Sequence, residues 1–344
     1  MDMKYSKNIQ LSSELLVIDG LWGVGKSVVT HLVSTFDSAE SVYYDYTFDY
    51  IPKYYQSHSI DKDAAVTLIR NLFDEFSYKS CISRSVNFRF TDETSIFKHP
   101  KKYKYLQRLF QRDGDDALKI IAKNRMIIPI LTHMSSSNND FFHMAMGERC
   151  KIINCIRHPL FMLEGTANYL SNMALSPRDF VLKIRHNDKD LPFFAHGWED
   201  EFLSANYIEK AIKSISILTK DYTNNLKKIK KQYGENSILE VSFEDAITNT
   251  DEVLNKIAGF IDRDINQKLY KKIKKSGNFP RKSMLDGQEH GLFNFKSKKV
   301  DKVKEKVLIQ KKMELFKSKV RPEYYLQLVQ LVKDYEVKSL YFKD

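Results

Sequence analysis

Short apolar runs bounded by polar residues recur along the chain, and segments with helical spacing separate them. The runs lie at Leu15–Ile18, Ser41–Tyr44, Met126–Leu131, Lys151–Ile156 and Ser237–Val241. Runs of this length are typical of buried strands. Strands that alternate with helices pair in parallel through right-handed crossovers, which place the helices on the faces of the sheet. The pattern therefore predicts an α/β fold with a parallel β-sheet that helices cover on both faces.

Helical periodicity fills most of the remaining chain. It predicts helical segments at about Asp61–Ser80, Lys101–Asn124, Tyr207–Tyr233, Lys302–Phe316 and Glu323–Val337. Residues 179–206 break this periodicity with an aromatic-rich insertion, which is either a substrate lid or a loop pinned to the core. No Pro-, Gly- or Ser-rich linker divides the chain. Residues 1–344 are therefore expected to form a single domain, with its core at about 13–285 and a C-terminal helical extension at about 300–344.

The composition fits a packed, helix-rich protein. Hydrophobic residues make up 42% of the chain and aromatic ones 12%, whereas Gly (12) and Pro (8) are few. No apolar run reaches membrane-spanning length and the first residues lack a leader-like segment, so we expect a cytoplasmic soluble protein. Cys81, Cys150 and Cys155 have neither metal-ligand nor disulfide-scaffold spacing and are expected to be buried thiols.

The net charge of +11 is concentrated in two basic runs, at residues 271–282 and 296–319. These runs predict either a surface for polyanions or the solvated faces of helices, and the sequence leaves both open. Aromatic residues are not interleaved with the lysines, so a groove for single-stranded nucleic acid is not indicated. We therefore expect no specific nucleic-acid partner.

Residues Gly20–Ser27 read Gly-Leu-Trp-Gly-Val-Gly-Lys-Ser and match the phosphate-loop pattern G-x-x-x-x-G-K-[ST]. The motif lies between the first apolar run and a helical segment, in the order that a phosphate loop needs. Its glycines let backbone N–H groups turn towards an anion, and the new helix adds the positive end of its dipole. The predicted nucleotide contacts are Leu21, Trp22, Gly23, Val24, Gly25, Lys26, Ser27 and Val28.

Ligands of parallel sheets bind at the carboxyl ends of the strands, so the residues after each run are the next candidates. Thr132 and His133 end the third run, and Arg157, His158 and Pro159 end the fourth. Here the chain resembles the sulfotransferases, which have a strand ending in Thr-His, a short helix, and a strand running into Arg-x-Pro. The matching short helix would span Asn139–Met146.

The resemblance continues towards the C-terminus. Residues 238–246 are similar to the family's strand with its Tyr/Phe-Glu-Asp turn, and residues 249–261 to the helix behind it. Arg281, Lys282 and Ser283 are similar to the family's late Arg-Lys segment. Together with the phosphate loop, these elements follow the family's order from about residue 15 to residue 285.

The resemblance implies a P-loop-type fold and a defined chemistry. The donor would be 3′-phosphoadenosine 5′-phosphosulfate (PAPS), and the product nucleotide 3′,5′-ADP (PAP). The acceptor would be a hydroxyl or amine of a small molecule or glycan, and no metal would be required. Lys26 would stabilise charge on the leaving phosphate and His133 would take the proton of the acceptor. His196, in the insertion, is the rival base.

The 3′-phosphate of the nucleotide would be held by Arg157, Arg281 and Lys282, because cationic forks and ammonium groups suit a phosphate. The family often places a Ser eight residues after the Arg, where this chain has Gly165, so the adjacent Thr166 is the candidate substitute. The loop also departs from the family's usual Pro-x-x-Gly-Thr-Thr and is closer to that of a kinase.

Two other functions use the same loop. A magnesium-dependent kinase of a small molecule or nucleoside would place Ser27 on the metal and use Asp45 or Asp49 as base. A nucleotide-sensing protein would bind without catalysis and leave His133 idle. The acceptor and the oligomeric state do not follow from the sequence.

Overall fold

The computed structural model describes residues 3–92, 94–133, 135–138, 140–174, 176–285 and 302–342. The strands in these residues are β1 (Glu14–Asp19), β2 (Tyr43–Tyr44), β3 (Ile127–Leu131), β4 (Cys150–Ile156), β5 (Lys183–His186), β6 (Lys189–Pro192) and β7 (Ile238–Ser242). Five of them form one sheet in the order β2-β3-β1-β4-β7, and all its pairings are parallel. Each of the five overlaps a predicted apolar run, so the parallel α/β sheet is confirmed.

The helices lie in the crossovers and after the last strand. They are α1 (Lys26–Val33), α2 (Thr47–Gln56), α3 (Lys62–Cys81), α4 (Lys102–Gln107), α5 (Asp115–Asn124), α6 (Asp140–Met146), α7 (Leu160–Asn168), α8 (Glu199–Ser204), α9 (Tyr207–Tyr233), α10 (Phe243–Thr248), α11 (Thr250–Ile261), α12 (Gln267–Gly277), α13 (Lys302–Lys317) and α14 (Pro322–Lys338). The long helix α9 and the two closing helices α13 and α14 have the predicted bounds to within a residue or two.

The segment Lys101–Asn124 is more broken than its periodicity indicates. The helix α4 ends at Gln107, and α5 begins only at Asp115. Gly114, just before α5, has φ +63° and ψ −135°, a conformation that side-chain-bearing residues rarely adopt. The break therefore coincides with a glycine that the chain needs in order to turn.

Side chains of successive strand residues point to opposite faces, and each face of the sheet has its own core. Leu16 and Ile18 of β1 pack in the core that contains residues of α1, α7 and α9. Leu15 and Val17 pack in the other core, with residues of α3 and α6. The predicted covering of both faces by helices is confirmed.

The insertion folds onto the protein as a hairpin followed by a short helix. The strands β5 and β6 pair antiparallel, and Asn187 and Asp188 between them have φ +45° and +58°, as a two-residue hairpin turn requires. Phe194 and Trp198 are buried in the core beneath it. The insertion is therefore pinned to the core, and its start also covers a pocket described below.

The C-terminal extension is joined to the core through Glu209, near the start of α9. The Glu209 carboxylate accepts hydrogen bonds from the backbone N–H and the guanidinium of Arg321, the residue before α14. Part of the second basic run, residues 296–301, lies outside the described residues, as does Asn139 at the start of the predicted short helix.

The three thiols, Cys81, Cys150 and Cys155, are free and buried, as expected. Within the described ranges, no helix has the length and apolar character needed to cross a membrane.

Candidate functional site

The phosphate loop joins β1 to α1 and depends on its glycines. Gly20, Gly23 and Gly25 have φ of +146°, +74° and +80°. A Cβ on Gly20 would lie 2.4 Å from the carbonyl oxygen of Cys155, and one on Gly25 would lie 2.2 Å from the Phe243 ring. Both the backbone conformation and the close packing therefore require glycine here.

Lys26 begins α1 and is almost completely buried. Its ammonium donates hydrogen bonds to the carbonyl oxygens of Gly20 and Leu21, the second at 3.1 Å. Burial lowers the Lys26 pKa, while the carboxylates of Asp19 and Asp49 oppose that change. The cation is thus held inside the loop, where it can act on a bound phosphate.

The other predicted loop residues contribute in different ways. The side chains of Val24 and Val28 are buried in the core, and the Val28 N–H donates to the Gly25 carbonyl at 2.9 Å. Trp22 stacks on Tyr169 with ring centroids 4.8 Å apart. The Ser27 carbonyl accepts a hydrogen bond from the Thr30 hydroxyl. The valines therefore shape the loop rather than present side chains to a ligand.

Phe243 connects the loop to the end of β4. Its ring lies against Gly25 on one side, and the Arg157 guanidinium lies over the ring at 4.2 Å from the centroid. Arg157 also donates from Nη1 to the Gly23 carbonyl at 2.7 Å. The ends of β4 and β7 are thereby fastened to the phosphate loop.

Arg157 is suited to hold an additional anion. Its Nε is buried and has no hydrogen-bond partner among the described residues. Burial lowers its pKa, Glu244 and Tyr335 oppose this, and the nearby charge of Arg281 lowers it further. Two guanidinium groups that act on each other across a partly buried space are well matched by a phosphate, which accepts hydrogen bonds from both.

Arg281 is positioned by its backbone, whose N–H donates to the Ile247 carbonyl at 2.7 Å. The next residue, Lys282, is exposed. The structure therefore brings Arg281 to Arg157, and it leaves Lys282 at the surface beside them.

Thr166 lies within α7. Its side chain is buried, and its hydroxyl donates to the Met162 carbonyl within α7 at 2.9 Å. Helices that contain Thr commonly bind its hydroxyl in this way. The part of Thr166 in place of the family's Ser stays a prediction.

A cavity of about 810 Å³ extends from Gly20 and Leu21 past Arg157 to α9 and α14. Tyr335 of α14 lines it, and the Tyr335 hydroxyl donates to the buried Glu244 carboxylate at 2.5 Å. The same carboxylate accepts the backbone N–H of His158 at 3.0 Å. Sequence reasoning missed this contribution of α14, because no motif marks a helix so far along the chain from the loop.

A second, smaller pocket lies on the other side of the loop. It is lined by Tyr46, Asp49, Tyr50, Lys53, His133, Val181, Leu182 and Phe193, and we call it the His133 pocket. The start of the insertion supplies one wall, and the first two turns of α2 supply another.

Asp49 and His133 are joined directly in this pocket. One carboxylate oxygen of Asp49, Oδ1, accepts the backbone N–H of His133 at 2.9 Å and the hydroxyl of Ser135 at 2.6 Å. The other oxygen, Oδ2, and the Nδ1 of His133 are both buried and have no hydrogen-bond partner among the described residues. The pocket therefore contains two atoms that can accept a proton.

Burial shifts the titration of each group in the pocket. It lowers the pKa of His133 to about 2, together with the charge of Lys26. Burial raises the pKa of Asp49 to about 7, and Asp19 adds to this effect. Burial also lowers the pKa of Lys53 to about 8. Since Lys26 and Asp19 act on these groups, the pocket adjoins the phosphate loop.

Two rivals from the sequence lie outside the pocket. His196 is exposed and its Nδ1 pairs with Glu199 at 3.1 Å. Asp45 accepts the backbone N–H of Thr47 at 2.8 Å and so caps the start of α2. Among the described residues, no group of three or more His, Cys, Asp or Glu side chains is placed to hold a metal ion.

Comparison with known proteins yields structural matches alone. No family model and no curated protein matches the chain. The sulfotransferase domain of the Synechococcus PCC 7002 olefin synthase matches with a TM-score of 0.39 and 10% identity, over 98% of this chain and 100% of the other. The sulfotransferase domain of the curacin biosynthetic pathway matches with a TM-score of 0.41 and 8% identity, over 76% and 77%.

A third match is the Mycobacterium avium sulfotransferase STF9, with a TM-score of 0.39 and 9% identity, over 77% of this chain and 67% of the other. Likeness at this level does not establish a family for the chain. Its function has to be argued from the residues of the site.

Proposed function

We propose that the protein is a PAPS-dependent sulfotransferase that passes a sulfuryl group to a hydroxyl or amine. The observation that carries the proposal is the pair of guanidinium groups of Arg157 and Arg281 beside the phosphate loop. The loop accounts for the 5′-phosphate end of a nucleotide. A second anion site apart from the loop fits the 3′-phosphate, which distinguishes PAPS from an ordinary nucleoside triphosphate.

The residues of the chain divide the work between the two sides of the loop. Arg157, held by Phe243 and the Gly23 carbonyl, would bind the 3′-phosphate together with Arg281. Lys26 and the loop N–H groups would stabilise negative charge that develops on the leaving phosphate. PAPS supplies the activated sulfuryl group when it is bound.

The reacting hydroxyl or amine of the acceptor would enter the His133 pocket, whose volume of about 20 Å³ admits a group of about the size of a water molecule. Its walls include the rings of Tyr46, Tyr50 and Phe193, with the Lys53 ammonium 4.6 Å from the centroid of the Phe193 ring. These aromatic rings would contact the apolar carbons next to that group, as they occur in a sugar or an aromatic alcohol. A small hydroxylated molecule, with carbohydrates included, is the proposed acceptor class.

A comparison of ligands by thermal shift tests the proposal. We expect PAP without metal to raise the unfolding temperature, because a ligand that binds only the native state stabilises it by about 2.7 kcal/mol at a hundred times its Kd. The Arg157→Ala variant should lose this stabilisation, whereas a matched change at the exposed Arg112 should retain it. Stabilisation by ATP with magnesium and none by PAP would contradict the proposal.

One observation favours the kinase as a second candidate. Asp49, a buried carboxyl group with a pKa of about 7, lies where a kinase's base would act on an acceptor next to the loop. The kinase leaves the pairing of Arg157 with Arg281 unexplained. The magnesium ATP sample of the same experiment decides between the two.

A further inference from the structure

Asp49 is a buried titratable group to which the resemblance to sulfotransferases assigns no role. It lies in the first turn of α2 and lines the His133 pocket. Its Oδ1 is fixed by the His133 N–H and the Ser135 hydroxyl. Its Oδ2 is buried and has no hydrogen-bond partner among the described residues. Buried polar atoms are rarely left in this state, and a catalytic role is one of the reasons for the exceptions.

We propose that Asp49, rather than His133, accepts the proton of the acceptor group, and that His133 positions the acceptor. The inference rests on the proposed sulfuryl transfer. The geometry favours Asp49 because two donors hold one of its oxygens and thereby fix the direction of the other. A rigidly held oxygen in a closed pocket meets the first requirement for a general base.

The transfer balances as follows when water or an alcohol is the acceptor. A lone pair of the acceptor oxygen forms a bond to sulfur, and the bond between sulfur and the bridging phosphate oxygen breaks. The bridging oxygen keeps that electron pair and leaves on PAP, where Lys26 stabilises its charge. The proton of the acceptor moves to Asp49 Oδ2.

The pKa values of the two candidate bases also favour Asp49. His133, with a pKa of about 2, holds a proton poorly, whereas Asp49, with a pKa of about 7, is matched to neutral pH. The charged and titratable groups around Asp49 are Asp19 at the end of β1, Lys26 at the start of α1, His133 after β3, and Lys53 on α2 itself. Tyr44 and Tyr50 are the phenols that face it.

The test measures release of radiolabelled sulfate from PAPS, with water as acceptor, in single-turnover experiments at a series of pH values. In the wild type we expect the rate to rise with pH through a pKa of about 7, because the carboxylate is the active form. Asp49→Asn should lower the rate by about 10²–10⁴-fold and abolish the pH dependence. The Asp49→Glu variant should restore part of the rate and part of its pH dependence.

The His133→Ala variant should lose much less of the transfer rate. That rate should still rise with pH, because the backbone N–H that holds Asp49 remains. The exposed Asp63→Asn serves as the matched control, and PAP binding shows that each variant is folded. A His133→Ala enzyme that loses the pH dependence, with an Asp49→Asn enzyme that keeps it, would overturn the inference. Failure of the wild type to release sulfate would instead contradict the proposed function.

Asp49 can also be observed without turnover. Infrared difference spectra between wild type and Asp49→Asn should contain a protonated-carboxyl band that titrates with a pKa of about 7. A band absent throughout neutral pH would mean that Asp49 is fully ionised there, which would also overturn the inference.

Discussion

The two sides of the phosphate loop hold charge in different ways. On the Arg157 side, guanidinium groups lie against an aromatic ring and backbone carbonyls, and they stay charged at any physiological pH. In the His133 pocket, burial moves the pKa values of Asp49 and Lys53 towards neutral pH. Under the proposed function, the first side would bind a permanent anion and the second would exchange a proton. Lys26 lies in the loop, where its ammonium binds the carbonyls of Gly20 and Leu21 and its charge lowers the pKa of His133.

A large loss of rate is expected when Lys26 is removed. Lys26→Ala should slow sulfuryl transfer by about 10²–10³-fold, the usual loss when one preorganised group that stabilises developing charge is removed. Single-turnover release of labelled sulfate measures it, with the exposed Lys62→Ala as control. A Lys26→Ala enzyme at wild-type speed would remove the link between the two sides.

The next prediction concerns stability and isolates the His133 pocket. The pKa of Asp49 is about 7 in the folded protein against the usual 3.8 of an aspartate, so the native state keeps a proton that the unfolded chain releases. Folding stability of the wild type should therefore fall, relative to Asp49→Asn, as pH rises from about 4 to about 7, by a few kcal/mol. Above that range the difference should level off.

Urea unfolding of the two proteins across this pH range measures the difference. Equal pH dependence in wild type and Asp49→Asn would show that the carboxyl group is not perturbed. The contrast between the two sides would then have to be abandoned.

A smaller effect is expected where the Arg157 side is held together. Phe243→Leu removes the ring beneath the guanidinium, an interaction worth about 0.5–2 kcal/mol. PAP affinity should fall several-fold in calorimetric titrations, and transfer chemistry from bound PAPS should change little. The exposed Phe110→Leu is the control. A Phe243→Leu protein with unchanged PAP affinity would show that the stacking does not organise the site.

The smallest predicted change in PAP affinity tests the contribution of α14. Tyr335→Phe removes the hydrogen bond to the buried Glu244 carboxylate and should cost about 1–3 kcal/mol of stability, because a charged acceptor loses a donor. PAP affinity should fall only a few-fold. Chemical unfolding and titration measure the two quantities, and an unchanged unfolding free energy would contradict the role of this contact.

Much of the fold follows from local patterns. The five strands and the helix α9 were predictable because each buries a continuous apolar run or stripe, and burial is what selects such elements. The break at Gly114 and the hairpin of β5 and β6 were not predicted. Both depend on one or two residues with positive φ, whose effect periodicity does not reveal.

Only the site residues that belong to a sequence motif or follow a strand could be predicted. The loop, Arg157 and His133 follow from strand ends, whereas the role of Thr166 rests on spacing alone, and its hydroxyl binds the Met162 carbonyl within α7. From the sequence, Asp49 is a candidate base only for a kinase. Its hydrogen bonds with His133 and Ser135 join two segments that are far apart in the chain, and no motif marks that contact. The same is true of Tyr335.

Calorimetry tests whether the Arg157 side recognises a 3′-phosphate. Wild type and Arg157→Ala are each titrated with PAP and with 5′-AMP, which lacks that phosphate. Loss of Arg157 should weaken PAP binding by about 10- to 100-fold, because a hydrogen bond to a charged group is worth about 1.5–3 kcal/mol. The affinity for 5′-AMP should stay nearly unchanged. Equal losses for both nucleotides would contradict the account.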